Sequence, residues 1–217
     1  MIHTSATLVP MFQQLCQAKL PGIATFNIAD DSLIKDVIAA GRLTPHVARR
    51  VAGHIASAEE AGADLILVTC SSIGRAVEAA APFANVPVLR VDQPMADAAV
   101  ATGSRIGVVA TLATTLEPTA DLIQRRATAA GRSIGLTARL CEGAFEALMA
   151  GDAARHDERV CAALNELAGK VDVIVLAQAS MSRVADALPP ENRRVPILAS
   201  PSLAIDHLAS LFAGRPR

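Results

Sequence analysis

The 217-residue chain is long enough for one large domain or two small ones, and with 52% hydrophobic and 19% charged residues it should bury a sizeable core. A net charge of −1 and the absence of Trp and Tyr provide neither a basic surface nor a stacking platform, which argues against nucleic-acid binding. No apolar run approaches the roughly 18–20 residues that a membrane span requires, and the N-terminus lacks a secretory pattern, so we expect a cytoplasmic protein.

Strands and helices alternate along the whole chain, which is typical of α/β proteins with parallel sheets. The predicted strands are 2–5, 23–29, 65–68, 87–91, 105–110, 134–140, 171–177 and 196–199. The predicted helices are 8–18, 33–40, 45–62, 73–81, 94–102, 114–130, 144–150, 153–169, 181–188 and 202–212. Thr44 and Asp152 are the expected N-caps of two of these helices.

The cysteines and histidines carry no recognisable metal or redox motif. No two of the four cysteines have C-x-x-C spacing, so without a secretory signal we expect reduced thiols. The five histidines lack H-x-x-x-H and H-E-x-x-H spacing, and no Gly-rich phosphate motif is present, so we expect neither a metal site nor a nucleotide cofactor.

One stretch, residues 64–74, places a thiol and two hydroxyls where a buried strand gives way to a helix. The apolar run that ends at Val68 is followed by Thr69, Cys70, Ser71 and Ser72. Ligands of open α/β sheets bind at such strand ends, where the helix N-terminus offers free N–H groups to an anion. The same helix end is expected to lower the pKa of Cys70, whereas the alternative is an inert buried cysteine.

The second half of the chain repeats the first. Residues 63–75 lie over residues 171–183 without a gap, at an offset of 108, so that Cys70 falls on Gln178, Ser72 on Ser180 and Arg75 on Arg183. The first strand end, Thr4-Ser5, corresponds to Ala110-Thr111. His46 and His156 also match, near helix starts, where we expect surface or capping roles.

This duplication predicts an α/β fold of two similar lobes, each a short parallel sheet flanked by helices. The expected domains are 1–95 plus 199–217 for the first lobe and 96–198 for the second. If the lobes are related by a pseudo-two-fold, the strand ends of both line one cleft, and the site lies between the loops of Cys70 and Gln178.

The segments Val68-Thr-Cys-Ser-Ser72 and Ala110-Thr-Leu-Ala-Thr114, together with the duplication, resemble the cofactor-independent aspartate/glutamate/hydantoin racemase superfamily, which has arylmalonate decarboxylase and maleate isomerase relatives. The resemblance implies an isomerase in which one cysteine of each lobe flanks the carbon α to a carboxylate. One thiolate removes the proton and the other thiol returns one to the opposite face.

Carried onto this chain, the resemblance implies Cys70 as the catalytic acid/base and a small carboxylic acid as the substrate. Hydroxyl and amide groups of both lobes would bind that substrate: Ser5, Ser71, Ser72, Thr111, Thr114, Gln178 and Ser180. The resemblance also implies no cofactor and a homo-oligomer, by analogy a dimer.

Gln178 departs from the family pattern, because the second cysteine belongs at this position and an amide cannot serve as an acid or base near neutral pH. Glu142, at a strand end, is the candidate for a second acid/base, with a helix-capping carboxylate as the alternative. Cys141 could also reach the cleft, whereas Cys16 and Cys161 are expected in the core.

Three functions remain open at this point. The first is proton transfer at the carbon α to a carboxylate. The second is a one-cysteine decarboxylase of the arylmalonate type, a lyase. The third is a carboxylate-binding protein that has lost catalysis.

Overall fold

The computed structural model describes residues 1–189 and 193–213. The predicted domain boundaries extend over 190–192 and 214–217, which lie outside the described residues. Within the described ranges, no helix is both long and apolar enough to cross a membrane.

The chain forms two compact units. The first consists of Met1–Pro94 together with the described residues from Pro201 onward, and the second of Met95–Ser200. Each unit has one four-stranded parallel sheet, ordered β2-β1-β3-β4 in the first and β6-β5-β7-β8 in the second. The strand order is thus the same in both halves, and the fold class of two similar α/β lobes is confirmed.

The helices and strands follow the predicted alternation. The strands are β1 Ile2–His3, β2 Ile28–Ala29, β3 Ile66–Val68, β4 Val88–Arg90, β5 Arg105–Ala110, β6 Gly135–Leu140, β7 Val173–Leu176 and β8 Ile197–Ala199. The helices are α1 Val9–Lys19, α2 Ser32–Ala40, α3 Pro45–Glu60, α4 Gly74–Ala80, α5 Gln93–Thr102, α6 Ala113–Ala129, α7 Ala144–Met149, α8 Ala153–Leu167, α9 Ser182–Ala187 and α10 Ser200–Ala213.

The caps that stop and start these helices agree with the sequence pattern. The Thr44 hydroxyl accepts a hydrogen bond from the Val47 N–H, and the Asp152 carboxylate accepts one from the Arg155 N–H. Gly41 ends α2 with a φ of 65°, a left-handed conformation that glycine adopts without strain.

The central strand of the first unit separates two apolar clusters. Ile66 and Val68 pack with α2, α3 and α4, whereas Leu67 packs with α1 and α10. Side chains alternate along a strand, so β3 buries both faces, as its unbroken apolar sequence predicts. In the second unit β7 is likewise fully buried, and Ile174 and Leu176 pack against α8 and α9.

Candidate active site

Cys70 lies at the carboxyl end of the buried strand β3, where the chain turns into α4. Its backbone is extended, with φ −135° and ψ 120°, and it is followed by one 3-10 turn, Ser71–Ile73. Ser71 and Ser72 are buried, and Cys70 is partly exposed. The sulphur therefore stands at the rim of the sheet, as the position after a central parallel strand predicts.

The Cys70 sulphur is surrounded by hydrogen-bond donors. Burial raises the pKa of the Cys70 thiol. Hydrogen bonds from the Thr4 hydroxyl, from the Ser72 and Ile73 N–H groups and from the Ser72 hydroxyl act in the opposite direction but do not outweigh burial. The expected lowering of this pKa is therefore wrong. The protonated thiol is the form present at neutral pH, and these donors can stabilise the thiolate once it forms.

The second unit repeats this geometry with an amide in place of the thiol. Gln178 follows β7 with φ −127° and ψ 134°, and a 3-10 turn, Ala179–Met181, comes next. Its Oε1 atom accepts hydrogen bonds from the Thr111 N–H at 2.6 Å and from the Thr111 hydroxyl at 3.0 Å. Because Oε1 is held in this way, the amide nitrogen is the end of Gln178 that can donate to a ligand.

The strand ladders correct the predicted alignment of the first strand ends by one residue. Ile2 pairs with Val68 in the first unit, and Val109 pairs with Leu176 in the second. Thr4 therefore corresponds to Thr111 at an offset of 107, and not to Ala110. Each threonine hydrogen-bonds the residue at the end of the central strand, Cys70 in one unit and Gln178 in the other.

Thr4 is thus a candidate site residue that the sequence pattern did not reveal. It is buried and donates to the Cys70 sulphur, whereas the predicted Ser5 is partly exposed and shares a 2.7 Å hydrogen bond with the Thr7 hydroxyl. An alignment of the two halves that shifted the first strand by one more residue would have identified Thr4.

Thr114 and Ser180 lie at the helix starts that follow β5 and β7. Thr114 is the second residue of α6, and its hydroxyl oxygen is buried with no hydrogen-bond partner among the described residues. A buried hydroxyl without a partner is costly unless something else satisfies it. Ser180, in the 3-10 turn after Gln178, is partly exposed.

Glu142 follows β6 and is exposed, and its backbone carbonyl accepts a 2.5 Å hydrogen bond from Arg159 of α8. Its neighbour Cys141 is buried among the apolar side chains of the second unit, and burial raises its pKa to about 11. The Cys141 thiol thus belongs to the core of the second unit, and the expectation that Cys141 could reach the cleft stays a prediction. Cys16 is in the core as expected, whereas Cys161 is only partly buried.

His156 also differs from its expected surface role. Its side chain is fully buried in α8, and Nδ1 lies 2.7 Å from the Asp157 carboxylate. Asp157 is itself held by two 2.6 Å hydrogen bonds from Arg183. His46, in contrast, is exposed as expected.

A buried ion pair supports the helix that follows Cys70. Arg90, at the end of β4, donates from Nε and Nη2 to the fully buried Asp92 at 2.9 and 2.6 Å, and from Nη1 to Glu78 at 2.7 Å. A Cβ atom on Gly74 would collide with the Arg90 guanidinium, so glycine is required at the first residue of α4. The start of α4, and with it the turn that donates to Cys70, is held against this pair.

Comparison with known proteins gives a family model and a set of similar folds. The model described as Asp/Glu/Hydantoin racemase matches residues 1–208. No curated protein sequence matches the chain significantly.

Among solved structures, a glutamate racemase isoform from Bacillus anthracis superposes with a TM-score of 0.70 at 18% identity, covering 98% of this chain and 80% of that chain. The aspartate racemase of Picrophilus torridus has a TM-score of 0.70 at 13% identity, covering 96% of this chain and 92% of that one. The allantoin racemase of Klebsiella pneumoniae has a TM-score of 0.62 at 21% identity, covering 98% and 86%. At these identities the structural likeness establishes the fold alone.

Proposed function

Because the chain belongs to the Asp/Glu/hydantoin racemase family, we propose that it is an isomerase that moves a proton at the carbon α to the carboxylate of a small acid, without a cofactor. Family membership supports the reaction class. The substrate and the catalytic roles below are part of the proposal.

The observation that carries the proposal is the set of four donors around the Cys70 sulphur. A thiolate at this position would take the α-proton while the electron pair of the C–H bond moves into the carboxylate, giving an enediolate. The donors stabilise the thiolate, and the reverse transfer from the thiol returns a proton to the same face.

The enediolate requires its own preorganised donors, because the α-proton of a carboxylate is far less acidic than a thiol. We assign this role to Ser5, Ser71, Thr114, Gln178 and Ser180. Thr111 and Ser72 would act through their partners, because both donors of Thr111 bind Gln178 Oε1 and both donors of Ser72 bind the Cys70 sulphur. Support comes from the buried Thr114 hydroxyl, which has no partner in the described part of the chain, and from the Gln178 amide nitrogen, which Thr111 leaves available to donate.

A one-cysteine decarboxylase is the second candidate, and the raised pKa of the Cys70 thiol favours it. A thiol that stays protonated at neutral pH is suited to deliver a proton to an enediolate left by the loss of carbon dioxide. Gln178 could not provide a second thiol, so protonation would occur on one face only. If inversion does take place, the exposed Glu142 is our candidate for the second acid/base.

A screen of small α-substituted carboxylic acids and malonates in deuterium oxide tests both candidates. Deuterium content, chirality and carbon dioxide are followed separately. We expect Cys70→Ala to lower the rate of whichever reaction the wild-type protein catalyses by at least about 10²-fold, the contribution expected of a general acid–base group. Cys161→Ala, which removes another partly buried thiol, is the matched control and should leave the rate unchanged. Full activity in Cys70→Ala would refute the mechanism.

The pH dependence separates the two reactions. Because burial raises the pKa of Cys70, the thiolate fraction at neutral pH is small and grows about tenfold per pH unit. Proton abstraction should therefore accelerate as the pH rises towards that pKa, whereas protonation by the thiol should be constant and then fall above it. Ligand-protected labelling of Cys70 by iodoacetamide without turnover of any acid would indicate a binding protein instead.

A further inference from the structure

A buried polar pair lies directly beside the residues that meet at the Cys70 sulphur. His3 has no exposed side-chain surface, and its Nδ1 atom lies 2.8 Å from the hydroxyl of the buried Thr69. Its Nε2 atom lies 2.9 Å from the Asn27 side-chain oxygen. His3 precedes Thr4 in the chain and Thr69 precedes Cys70, so two successive cross-strand pairs, His3–Thr69 and Thr4–Cys70, end strands β1 and β3.

The second unit achieves the same backbone geometry without the polar pair. The Thr69 N–H donates to the Ile2 carbonyl at 2.9 Å, and the Ala177 N–H donates to the Val109 carbonyl at the same distance. At the offsets of 107 and 108, Ala110 therefore stands where the first unit has His3, and Ala177 where it has Thr69. Two alanines suffice for the sheet in the second unit, so this backbone hydrogen bond does not itself require the histidine and the threonine.

Side chains alternate along a strand, so His3 and Thr69 face one side of the sheet, and Thr4 and Cys70 face the other. A hydrogen bond between the first pair fixes the separation of the two strand ends, and with it the distance across the second pair. We propose that His3 is a positioning residue for Cys70, which acts through Thr69 to keep the Thr4 hydroxyl within hydrogen-bond reach of the sulphur. This inference rests on the proposed acid/base role of Cys70.

The surroundings of His3 favour a neutral ring. Burial and the positive charge of the Met1 α-amino group lower the pKa of His3, and the Asn27 hydrogen bond acts in the opposite direction. The ring also packs against Phe12 of α1, with 5.6 Å between the ring centroids. A neutral ring that donates from Nε2 to Asn27 accepts at Nδ1 from the Thr69 hydroxyl, which also lies 3.2 Å from the Ile2 carbonyl oxygen. In this tautomer His3 orients the strand end and transfers no proton itself.

The test measures the rate of iodoacetamide labelling at Cys70 against pH, by peptide mass spectrometry, and needs no substrate. Thr4→Val removes the hydroxyl that donates to the Cys70 sulphur. It therefore gives the full shift of the labelling midpoint that loss of this hydrogen bond causes. We expect His3→Ala and Thr69→Val each to raise the labelling midpoint in the same direction, by up to about one pH unit, so that labelling at neutral pH becomes up to about tenfold slower. The double variant His3→Ala with Thr4→Val should be no slower than Thr4→Val alone, because both act on one hydrogen bond.

Two further variants separate positioning from loss of structure. His3→Asn keeps a polar atom near the position of Nδ1 and should restore most of the wild-type midpoint. His156→Ala removes the other fully buried histidine, in the second unit, and should leave the midpoint unchanged. The proposal is overturned if Thr4→Val moves the midpoint and His3→Ala does not, or if His3→Ala only speeds labelling, as local opening would.

The outcomes also distinguish this inference from the proposed function. If the wild-type protein exchanges no α-proton and decarboxylates no malonate, the proposed function fails, while the labelling midpoints still report on positioning. If exchange occurs and requires Cys70, but the labelling midpoint does not change in His3→Ala and Thr69→Val, the proposed function stands and the positioning role is wrong.

Discussion

At the scale of single residues, the molecule has two copies of one strand-end design with different chemistry. Cys70 and Gln178 share an extended backbone conformation, and each receives a hydrogen bond from a threonine at the end of the neighbouring strand. The thiol can exchange a proton and the amide cannot. The strand end of the first unit therefore carries a group that can act as an acid/base, and that of the second unit carries a hydrogen-bond donor.

Gln178→Cys is expected to raise inversion relative to exchange, since the new thiol would occupy the same backbone position after β7 that Cys70 occupies after β3. The Thr111 hydroxyl would then be available to donate to the new sulphur, as Thr4 does to Cys70. The measurement compares deuterium uptake with loss of optical rotation for each enantiomer of an accepted acid. Ala179→Cys places a thiol one residue later and serves as the control; an equal effect of both variants would contradict the matched geometry.

The sequence singled out Cys70 and Gln178 as candidates because each comes two residues after a four-residue apolar run, and the two runs align without a gap. It did not identify Thr4, His3 or the Thr69 contact. β1 has only two residues, which is too short a pattern to define its register, and a slip of one residue exchanges the side chains that face each side of the sheet. The partners are also 66 residues apart in the chain, a contact that no local pattern encodes.

At the scale of elements, the second strand of each unit, β2 or β6, is followed by a short helix and then by a longer one. An arginine of the longer helix, α3 or α8, hydrogen-bonds the loop that comes directly after the strand. In the first unit Arg50 of α3 donates to Asp30 at 2.6 Å, and in the second Arg159 of α8 donates to the Glu142 carbonyl. Asp30 also accepts from Ser32 and pairs with His54 at 2.8 Å. The loop after β2 is thus tied to α2 and α3 through one carboxylate.

Asp30→Asn is expected to lower the free energy of unfolding at neutral pH by about 1–2 kcal/mol. Burial acts to raise the pKa of Asp30, but the hydrogen bonds from Ser32 and His54 and the charge of Arg50 outweigh it and hold that pKa at about 2. Because the folded-state pKa lies below the unfolded value, this stabilisation is present above about pH 4 and is lost as the pH falls towards 2. Urea titrations at pH 7 and at pH 3 measure the difference.

Asp31→Asn is the matched control for this prediction, because Asp31 is exposed and its carboxylate pairs with Lys35 one helical turn away. Such a surface pair is worth about 0.5 kcal/mol or less. An equal loss of stability in the two variants would contradict a special role for Asp30.

Most elements were predictable because each half alternates apolar strands with amphipathic helices, and the residues that cap α3 and α8 are typical of N-caps. The exception is the strand predicted over 23–29, which is only Ile28–Ala29. Its ladder with β1 is two residues long, and residues 21–26 are exposed instead of packing on the sheet. The apolar composition of that segment therefore misled the prediction, since a strand requires a partner as well as a pattern.

At the scale of the whole molecule, the last helix completes the core of the first unit although it follows the last strand of the second. Ala204, Ile205 and Leu208 of α10 pack with Phe12 and Leu67. On the surface of the same unit, Lys19 of α1 pairs with Asp206 at 2.7 Å. The first unit is thus assembled from two distant parts of the chain.

Ile205→Ala is expected to destabilise the first unit by about 2–5 kcal/mol, because it leaves a cavity at a fully buried position. Hydrogen exchange should accelerate over residues 1–94 more than over 95–200, since the two units have separate cores. Leu211→Ala, at a position 39% exposed on the same helix, should cost far less. Uniform acceleration over both units would contradict this assignment.

Helix α10 follows the last strand of the second unit but packs in the core of the first. This arrangement also sets the order in which the two units can fold during synthesis. Domains generally fold as units while the chain is made, with the N-terminal one first. Here the ribosome makes every strand of the first unit before any strand of the second, yet the first unit has one apolar face without its covering helix until α10, Ser200–Ala213, is made. The second unit, which is continuous from Met95 to Ser200, can complete its core earlier. Of the two units, the one that carries Cys70 then matures later, so its thiol reaches its final surroundings only after α10 has been made.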